Sequence, residues 1–369
     1  MKNLSVTSID DFKLFLKKES DKKILIICGK NSFNGSGANK LFEDFSQSKK
    51  ITFYFKKSLI PNHIELQDII KSIKKFSPNL IIALGGGSVL DYAKIANTLT
   101  NSQNLKNELI NSNYNAKEKF AKLVAIPTTA GSGAEVTSNA VIYIDKIKYS
   151  VESKQLRPDY FFLIPELVLP SSNKIKSSAG FDAIAQAIES LISRKSDEKS
   201  KVFAEKSLKL SLNYFLDYLN KPNYENTSAM CLAANLSGEA ISISKTTAPH
   251  AVSYPFTALY NVSHGHAVSL TLNKFLKFNY KNLASAKCDF DLNERFKILF
   301  DVSKVSNFDA FDQYLIKLRD NAKLENNFEK LGIDINKNYS TIISSVNSQR
   351  LANNPVDLNL EDLKKIIQS

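Results

Sequence analysis

The chain has no tryptophan, two methionines, three cysteines and four histidines in 369 residues. Its cysteines, Cys28, Cys231 and Cys288, are odd in number and widely spaced, and no C-x-x-C occurs. A disulfide scaffold and a cysteine-built zinc site are thereby excluded, and a reducing compartment fits. No apolar run approaches the ~18 residues of a membrane span. The stretch from Met1 to Ser20 is polar and carries acids, unlike a secretory leader. The expectation is a soluble, cytoplasmic protein with no membrane partner.

Arginine is scarce as well. Only five of the 49 basic residues are arginine, namely Arg157, Arg194, Arg295, Arg319 and Arg350. The net charge of +12 therefore comes from lysines scattered along the chain. Base readers rely on arginine forks, and phosphate-tracking proteins cluster their charge. Nucleic acid is not the expected partner; a solvated surface with mild attraction for small anions is. The hydrophobic fraction of 43% and charged fraction of 23% suit a chain with a real core. At ~150 residues per domain the length predicts two domains.

Up to about residue 170, strand and helix signals alternate. Lys23 to Gly29 (KILIICG), Ile51 to Phe55, Asn79 to Leu84, Lys122 to Ile126 and Ala140 to Ile144 read as strands. Gly35 to Ser46, Ile64 to Phe76 and Val89 to Leu99 read as helices, the second with apolar residues at 64, 66, 69, 70 and 73. Such alternation predicts right-handed crossovers and a mostly parallel sheet. The prolines and small polar residues of Pro165 to Asn173 mark a boundary. Beyond it Ala179 to Ser193, Ser196 to Leu219, Thr227 to Ser242 and Asn293 to Ser303 read as helices, with almost no strand pattern. The predicted organisation is an α/β domain over 1–170 and an all-α domain over 171–369.

Two small-residue turns stand out in the first domain. Leu84-Gly85-Gly86-Gly87-Ser88 lies between a strand and a helix, with Asp91 and Lys94 a turn further on. Backbone without Cβ atoms can approach a pyrophosphate, and the following helix offers free N–H groups. The same turn without a ligand is the plainer alternative. The second turn, Pro127 to Thr137, carries Thr128, Thr129, Ser132 and Thr137 with two glycines. Ligands of open α/β sheets bind at this carboxyl edge.

In the second domain Asp182 and Gln186 stand at i and i+4, so they share a helix face. His250 and Tyr254 have the same spacing, and His264 and His266 follow. His63 belongs to the first domain and reads as a surface residue. One carboxylate, two imidazoles and an amide carbonyl suit a divalent ion; the alternative is a set of satisfied polar residues in a helical core.

Taken together, GGGSVLDYAK at 85–94, IPTTAGSGAEVT at 126–137, IPELVLP at 164–170, AGFDAIAQAIES at 179–190 and PHAVSYPFTALYNVSHG at 249–265 resemble the iron-containing (group III, metal-dependent) alcohol dehydrogenase family. The resemblance runs from about residue 20 to about residue 280. It implies the dehydroquinate synthase-like fold: a Rossmann-like dinucleotide domain, a helical metal- and substrate-binding domain, and an active site in the cleft between them. It further implies cofactor contacts at Gly86, Gly87, Ser88, Asp91, Thr128, Thr129, Ser132 and Lys148. Asp182, His250 and His264 would be ligands of Fe2+ or Zn2+, with Gln186 where the family usually has a fourth, histidine ligand.

This chain departs from the family pattern at two site positions. Gln186 is a weaker donor than histidine, and Tyr254 stands where many members have a proton-relaying histidine, so the relay is expected through Tyr254, His266, the ribose or water. The family often places an acid after the second strand for the adenosine ribose. Here that stretch is Lys56-Lys57-Ser58, which favours NADP over NAD. Lys245, with Thr246 and Thr247 just before His250, and His266 beside His264 suit an anionic head group. This wording looks most like the branch that reduces phosphonoacetaldehyde to 2-hydroxyethylphosphonate. Generic short-chain alcohol dehydrogenases, glycerol-1-phosphate dehydrogenases and sugar-phosphate cyclases are the rival expectations. A homodimer is common for such folds.

Overall fold

The computed structural model describes residues 6–19, 22–43, 50–346 and 348–368. The chain divides into two compact units, Met1–Ser172 with Asn223–Asn235, and Asn173–Pro222 with Leu236–Ser369. The first half of helix Tyr224–Ser244 thus belongs with the first unit, where Asn235 Nδ2 donates to the buried Glu135 Oε1 at 2.9 Å.

The first unit is built on β1 (Ile24–Gly29), β2 (Ile51–Lys56), β3 (Leu80–Gly85), β4 (Lys122–Pro127) and β7 (Tyr160–Phe161), all parallel, in the order β2-β1-β3-β4-β7. Side chains of β1 and β3 alternate between two apolar cores. Leu25, Ile27, Ile81 and Ala83 enter one, and Ile24, Ile26, Leu80, Ile82 and Leu84 enter the other. Burial on both faces explains why these strands read as continuous apolar runs. The chain leaves β1 for one side of the sheet and β3 and β4 for the other. The order therefore reverses between β1 and β3, where ligands of open α/β sheets bind.

Two local expectations need correction. The strand expected from Ala140, observed as β5 (Asn139–Ile144), is not in the parallel sheet. It forms an antiparallel hairpin with β6 (Ile147–Glu152), through a turn in which Asp145 and Lys146 both have positive φ. The helix expected over Gly35 to Ser46 begins earlier, at Lys30–Gly35, and resumes as a 3-10 turn at Ala38–Leu41. Gly37, at φ 77°, breaks it, because a left-handed residue cannot continue a helix. The end of that expected helix, from residue 44, lies outside the described residues.

The second unit is helical. Its helix Asn173–Ile192 is buried on nearly all sides, from Lys176 to Ile192 with the exception of Ala179, as a central helix of a bundle must be. The helices Glu198–Asn220, Ala248–Tyr260 and His264–Ser269 belong to the same unit. Val252, Phe256, Phe275, Ile342 and Ile367 form part of its core.

All three cysteines are free thiols. Burial pushes Cys28 up to about 12 and raises Cys231 further, and Cys288, half-buried, is pushed up to about 11. No described helix is long and apolar enough to cross a membrane.

Candidate active site

In the first unit the glycine turn follows β3 directly. The helix Gly87–Thr98 starts on Gly86 without a side-chain cap, so its first N–H groups remain for water or a ligand. A Cβ on Gly87 would stand 2.7 Å from Ser132 Oγ, so a larger residue there would push that hydroxyl aside. The two turns are joined by Thr128 N donating to Gly85 O at 3.0 Å. Thr129 and Ser132 are half-buried beside them.

Lys94, 1% exposed, clips these parts together. Its Nζ donates to Ala134 O at 2.9 Å, Thr137 Oγ1 at 2.7 Å and Asn139 O at 2.6 Å. Asp91 accepts from Val141 N at 3.1 Å, with its other oxygen 3.9 Å from Lys94 Nζ. Burial raises the Asp91 carboxyl to about 6, against the opposing pull of Lys94 and Lys148. Lys148, half-buried on β6, is thus electrostatically coupled to Asp91.

Ser88 Oγ accepts from Lys56 Nζ at 2.8 Å, and the same ammonium donates to Leu59 O at 3.0 Å. Sequence reasoning saw no acid at the end of β2. The fold supplies one, Glu65, from the next helix, but its carboxylate is engaged by Ser58 N at 2.9 Å, Lys57 N, the Ser58 hydroxyl and Tyr92 Oη at 3.1 Å.

In the second unit, ligand atoms of Asp182, His250 and His264 lie within 4.8 Å of one another, a metal-type group found among the described residues. Asp182 comes from the central helix and His250 from the first turn of Ala248–Tyr260. The chain then ends that helix at Asn261, in the left-handed region at φ 58°, and returns to start the helix His264–Ser269. The close return requires Gly265: a Cβ there would lie 1.9 Å from Ser178 O and 2.8 Å from Asp182 Cβ. His264 consequently meets His250 edge-on at 5.3 Å and stacks on Tyr254 at 5.4 Å and 7°.

His250 sits between two carboxylates. Nε2 is 3.2 Å from Asp182 Oδ1, and Nδ1 is hydrogen-bonded to Glu189 Oε2. Burial lowers the imidazole pKa, but Glu189 and Asp182 outweigh it and lift His250 to about 9. For Asp182 burial pushes upward, and His264, His250 and Gln186 pull it below the ordinary carboxylate value. A cation is what this arrangement demands, and a proton or a metal ion can meet the demand at the same lone pairs.

Gln186 lies on the face of Asp182, as its spacing predicts. Its Nε2 donates to Asp182 Oδ2 at 3.2 Å, and its carbonyl accepts from Ser237 Oγ at 3.1 Å. His266 turns elsewhere, with Nε2 2.7 Å from Glu325 O. Lys245 is half-buried in the turn before His250, with a left-handed φ of 61°. Burial raises the Tyr254 phenol to about 12, against the opposing charge of Arg350.

Glu189 escaped the reading of the sequence. It is fully buried and accepts from Thr247 N at 2.9 Å, Thr247 Oγ1 at 2.8 Å and His250 N at 3.4 Å, besides His250 Nδ1. It therefore caps the helix that carries His250 and orients the imidazole too. Its place seven residues after Asp182, on the same helix face, was the available signal.

A family model described as iron-containing alcohol dehydrogenase matches residues 5–165, and one described as Fe-containing alcohol dehydrogenase family, C-terminal, matches 176–369. The 4-hydroxybutyrate dehydrogenase of Clostridium kluyveri is 29% identical over 70% of this chain and 70% of that protein. The phosphonoacetaldehyde reductase of Streptomyces viridochromogenes is 29% identical over 58% of this chain and 56% of its own length. Among solved structures, sulfoacetaldehyde reductase from Bifidobacterium kashiwanohense, in complex with NAD+, superposes with a TM-score of 0.86 at 22% identity, covering 99% of this chain and 95% of that one.

Proposed function

The chain belongs to the iron-containing alcohol dehydrogenase family, and from that premise we propose that it reduces a short aldehyde carrying an anionic head group, phosphonoacetaldehyde to 2-hydroxyethylphosphonate being the leading candidate. Membership makes it an NAD(P)-dependent oxidoreductase acting between alcohols and aldehydes. The observation that carries the chemistry is the convergence of Asp182, His250 and His264 within 4.8 Å. Relatives whose names specify a carboxylate, a phosphonate or a sulfonate substrate support the anionic reading. So does Lys245 in the turn before His250.

Asp182, His250 and His264 are the residues that would hold Fe2+ or Zn2+, a donor set of one carboxylate and two imidazoles that suits either. Bound nicotinamide supplies the hydride, and a bound divalent ion supplies Lewis acidity toward the carbonyl. The protein's own groups prepare the reaction. Glu189 takes the His250 Nδ1 proton as a hydrogen bond, which leaves the Nε2 lone pair facing Asp182. Gln186, whose carbonyl accepts from Ser237, donates to Asp182 and braces that carboxylate. Tyr254, stacked on His264, is the group assigned here to carry the relayed proton.

The residues of the first unit fit a dinucleotide. Gly86, Gly87 and Ser88 receive the pyrophosphate at an uncapped helix start. Thr128, Thr129 and Ser132 flank it, and Asp91 and Lys148 serve the sugar hydroxyls. NADP is favoured over NAD because the ammonium of Lys56 stands at Ser88 while the carboxylate of Glu65 is engaged by the protein's own groups.

Steady-state kinetics with phosphonoacetaldehyde, butanal and lactaldehyde test the reading, each with NADPH and NADH. At least tenfold higher kcat/KM for the phosphonate is expected. No preference for it overturns the substrate, tenfold better use of NADH overturns the cofactor choice, and turnover without net consumption of reduced nicotinamide would point to a cyclase.

A further inference from the structure

The helical unit holds a cavity of about 1060 Å3 whose lining includes none of Asp182, His250, His264 and Tyr254. Residues of the helices Leu272–Lys281, Phe308–Asn321, Ile335–Ser344 and Leu360–Gln368 line it, together with the loop between the second and third of these.

Two cations from different helices face this space. Arg319, in the last turn of Phe308–Asn321, is 7% exposed. Its Nε and Nη2 donate to one oxygen of Asp320, at 3.3 and 3.1 Å, and among the described residues Nη1 has no acceptor. Lys274 is half-buried, with Nζ 5.2 Å from the centre of the Phe328 ring. That ammonium donates to Ile367 O at a long 3.4 Å. An ammonium has three protons and a guanidinium five, so both groups keep donors to spare. Burial and the charge of Arg319 together hold the Lys274 ammonium below its ordinary pKa, as expected of two cations close enough to repel in a partly dehydrated space.

The acids of the lining are turned to other tasks or to solvent. Asp334 Oδ1 accepts from Lys337 N at 2.9 Å and so caps its own helix. Glu329 is exposed, and among the described residues neither acid pairs with Lys274 or Arg319. The rest of the lining decides the kind of anion. Leu270, Ile333 and Ile367 are buried and Phe328 is half-buried, which makes an apolar wall beside the two cations. A space of this size suits an organic molecule, and an inorganic ion would fill little of it.

We infer that this cavity is a ligand site separate from the reaction site, and that it takes an organic anion. The carboxylate or phosphate head lies between Lys274 and Arg319, and the apolar body lies against Phe328 and Ile333. The inference does not depend on which aldehyde the protein reduces.

The test is calorimetric titration of the metal-loaded protein with phenyl phosphate, phenol and inorganic phosphate. Wild type is expected to bind phenyl phosphate, and to bind phenol and inorganic phosphate about tenfold more weakly or worse. Arg319→Gln and Lys274→Gln should each weaken phenyl phosphate about tenfold, the effect of losing one hydrogen bond to a charged group. His264→Ala, which damages the reaction site, should bind it as wild type does. Should Arg319→Gln fail to fold, Lys274→Gln decides alone. Unchanged affinity in the folded cavity variants overturns the proposal, as does a wild type that does not bind phenyl phosphate at millimolar concentration. Loss of binding in His264→Ala puts the probe in the reaction site and overturns it too. Inorganic phosphate bound as tightly as phenyl phosphate refutes the organic body, and phenol bound as tightly refutes the anionic head.

Discussion

Around the glycine turn, charged groups find their partners within the protein: Lys94 is met by two carbonyls and a hydroxyl, Lys56 by Ser88 and a carbonyl, Glu65 by two amides and three hydroxyls. Around Asp182 the reverse holds. Two carboxylates, Asp182 and Glu189, flank one imidazole, and ligand atoms of Asp182, His250 and His264 lie within 4.8 Å of one another. The first region is shaped by absent side chains and closed by hydrogen bonds, so a ligand there would be taken by fit. The second is held in electrostatic tension that a cation relieves. Steric changes should therefore dominate in the first region, and changes of charge or lone pair in the second.

One position breaks that rule. Gly265→Ala puts a methyl group 1.9 Å from Ser178 O, a backbone atom that cannot step aside. Metal content and activity of the purified variant are both expected to fall to background, and retention of either above a tenth of wild type would refute the argument. Next in size is Glu189→Gln, which keeps the shape but offers the His250 proton a neutral acceptor. Metal affinity, read by chelator competition, should weaken by roughly 10- to 100-fold, the usual effect of losing an outer partner of a ligating histidine. A purely structural Glu189 would instead lower the melting temperature with the metal dissociation constant unchanged.

In the first region Gly87→Ala meets Ser132 Oγ at 2.7 Å, the end of a side chain that can rotate away. The fold should survive and KM for the nicotinamide should rise about tenfold, most of it recovered in Gly87→Ala combined with Ser132→Ala. Without that recovery the clash is not the cause. The smallest effect is on stability. Asp91 has a folded-state pKa of about 6, above its ordinary value near 3.8. The folded protein therefore holds this proton more tightly, and the group favours the fold as pH falls through that window and opposes it as pH rises toward 6. Asp91→Asn removes the dependence. The difference in unfolding free energy should move in favour of the variant by about 1 kcal/mol per pH unit at most between pH 4 and 6, and denaturant titrations showing no trend would contradict the assignment.

Much of this architecture was legible because its signals are local. Apolar runs ending in glycine marked the parallel strands, and helical spacing alone put Asp182 beside Gln186. The hairpin of β5 and β6 was misplaced because an apolar strand does not name its neighbour, and the signal for β6 is diluted by lysine and serine. Glu189 and Glu65 look like ordinary solvated acids of amphipathic helices; only the fold brings Thr247 and His250 to the one, and Ser58 and Tyr92 to the other. His266 looked like a relay because it neighbours His264, but two residues along a helix turn a side chain by about 200°, and its ring meets the carbonyl of Glu325 instead.

The three thiols, with Cys28 and Cys288 held at about 12 and 11 and Cys231 higher still, have a practical consequence. Alkylating reagents act on the thiolate, so at neutral pH the native protein should be nearly silent toward maleimides and iodoacetamide. A cysteine engineered at a surface position would then be the single reactive handle for a fluorophore or spin label, with no background substitutions needed.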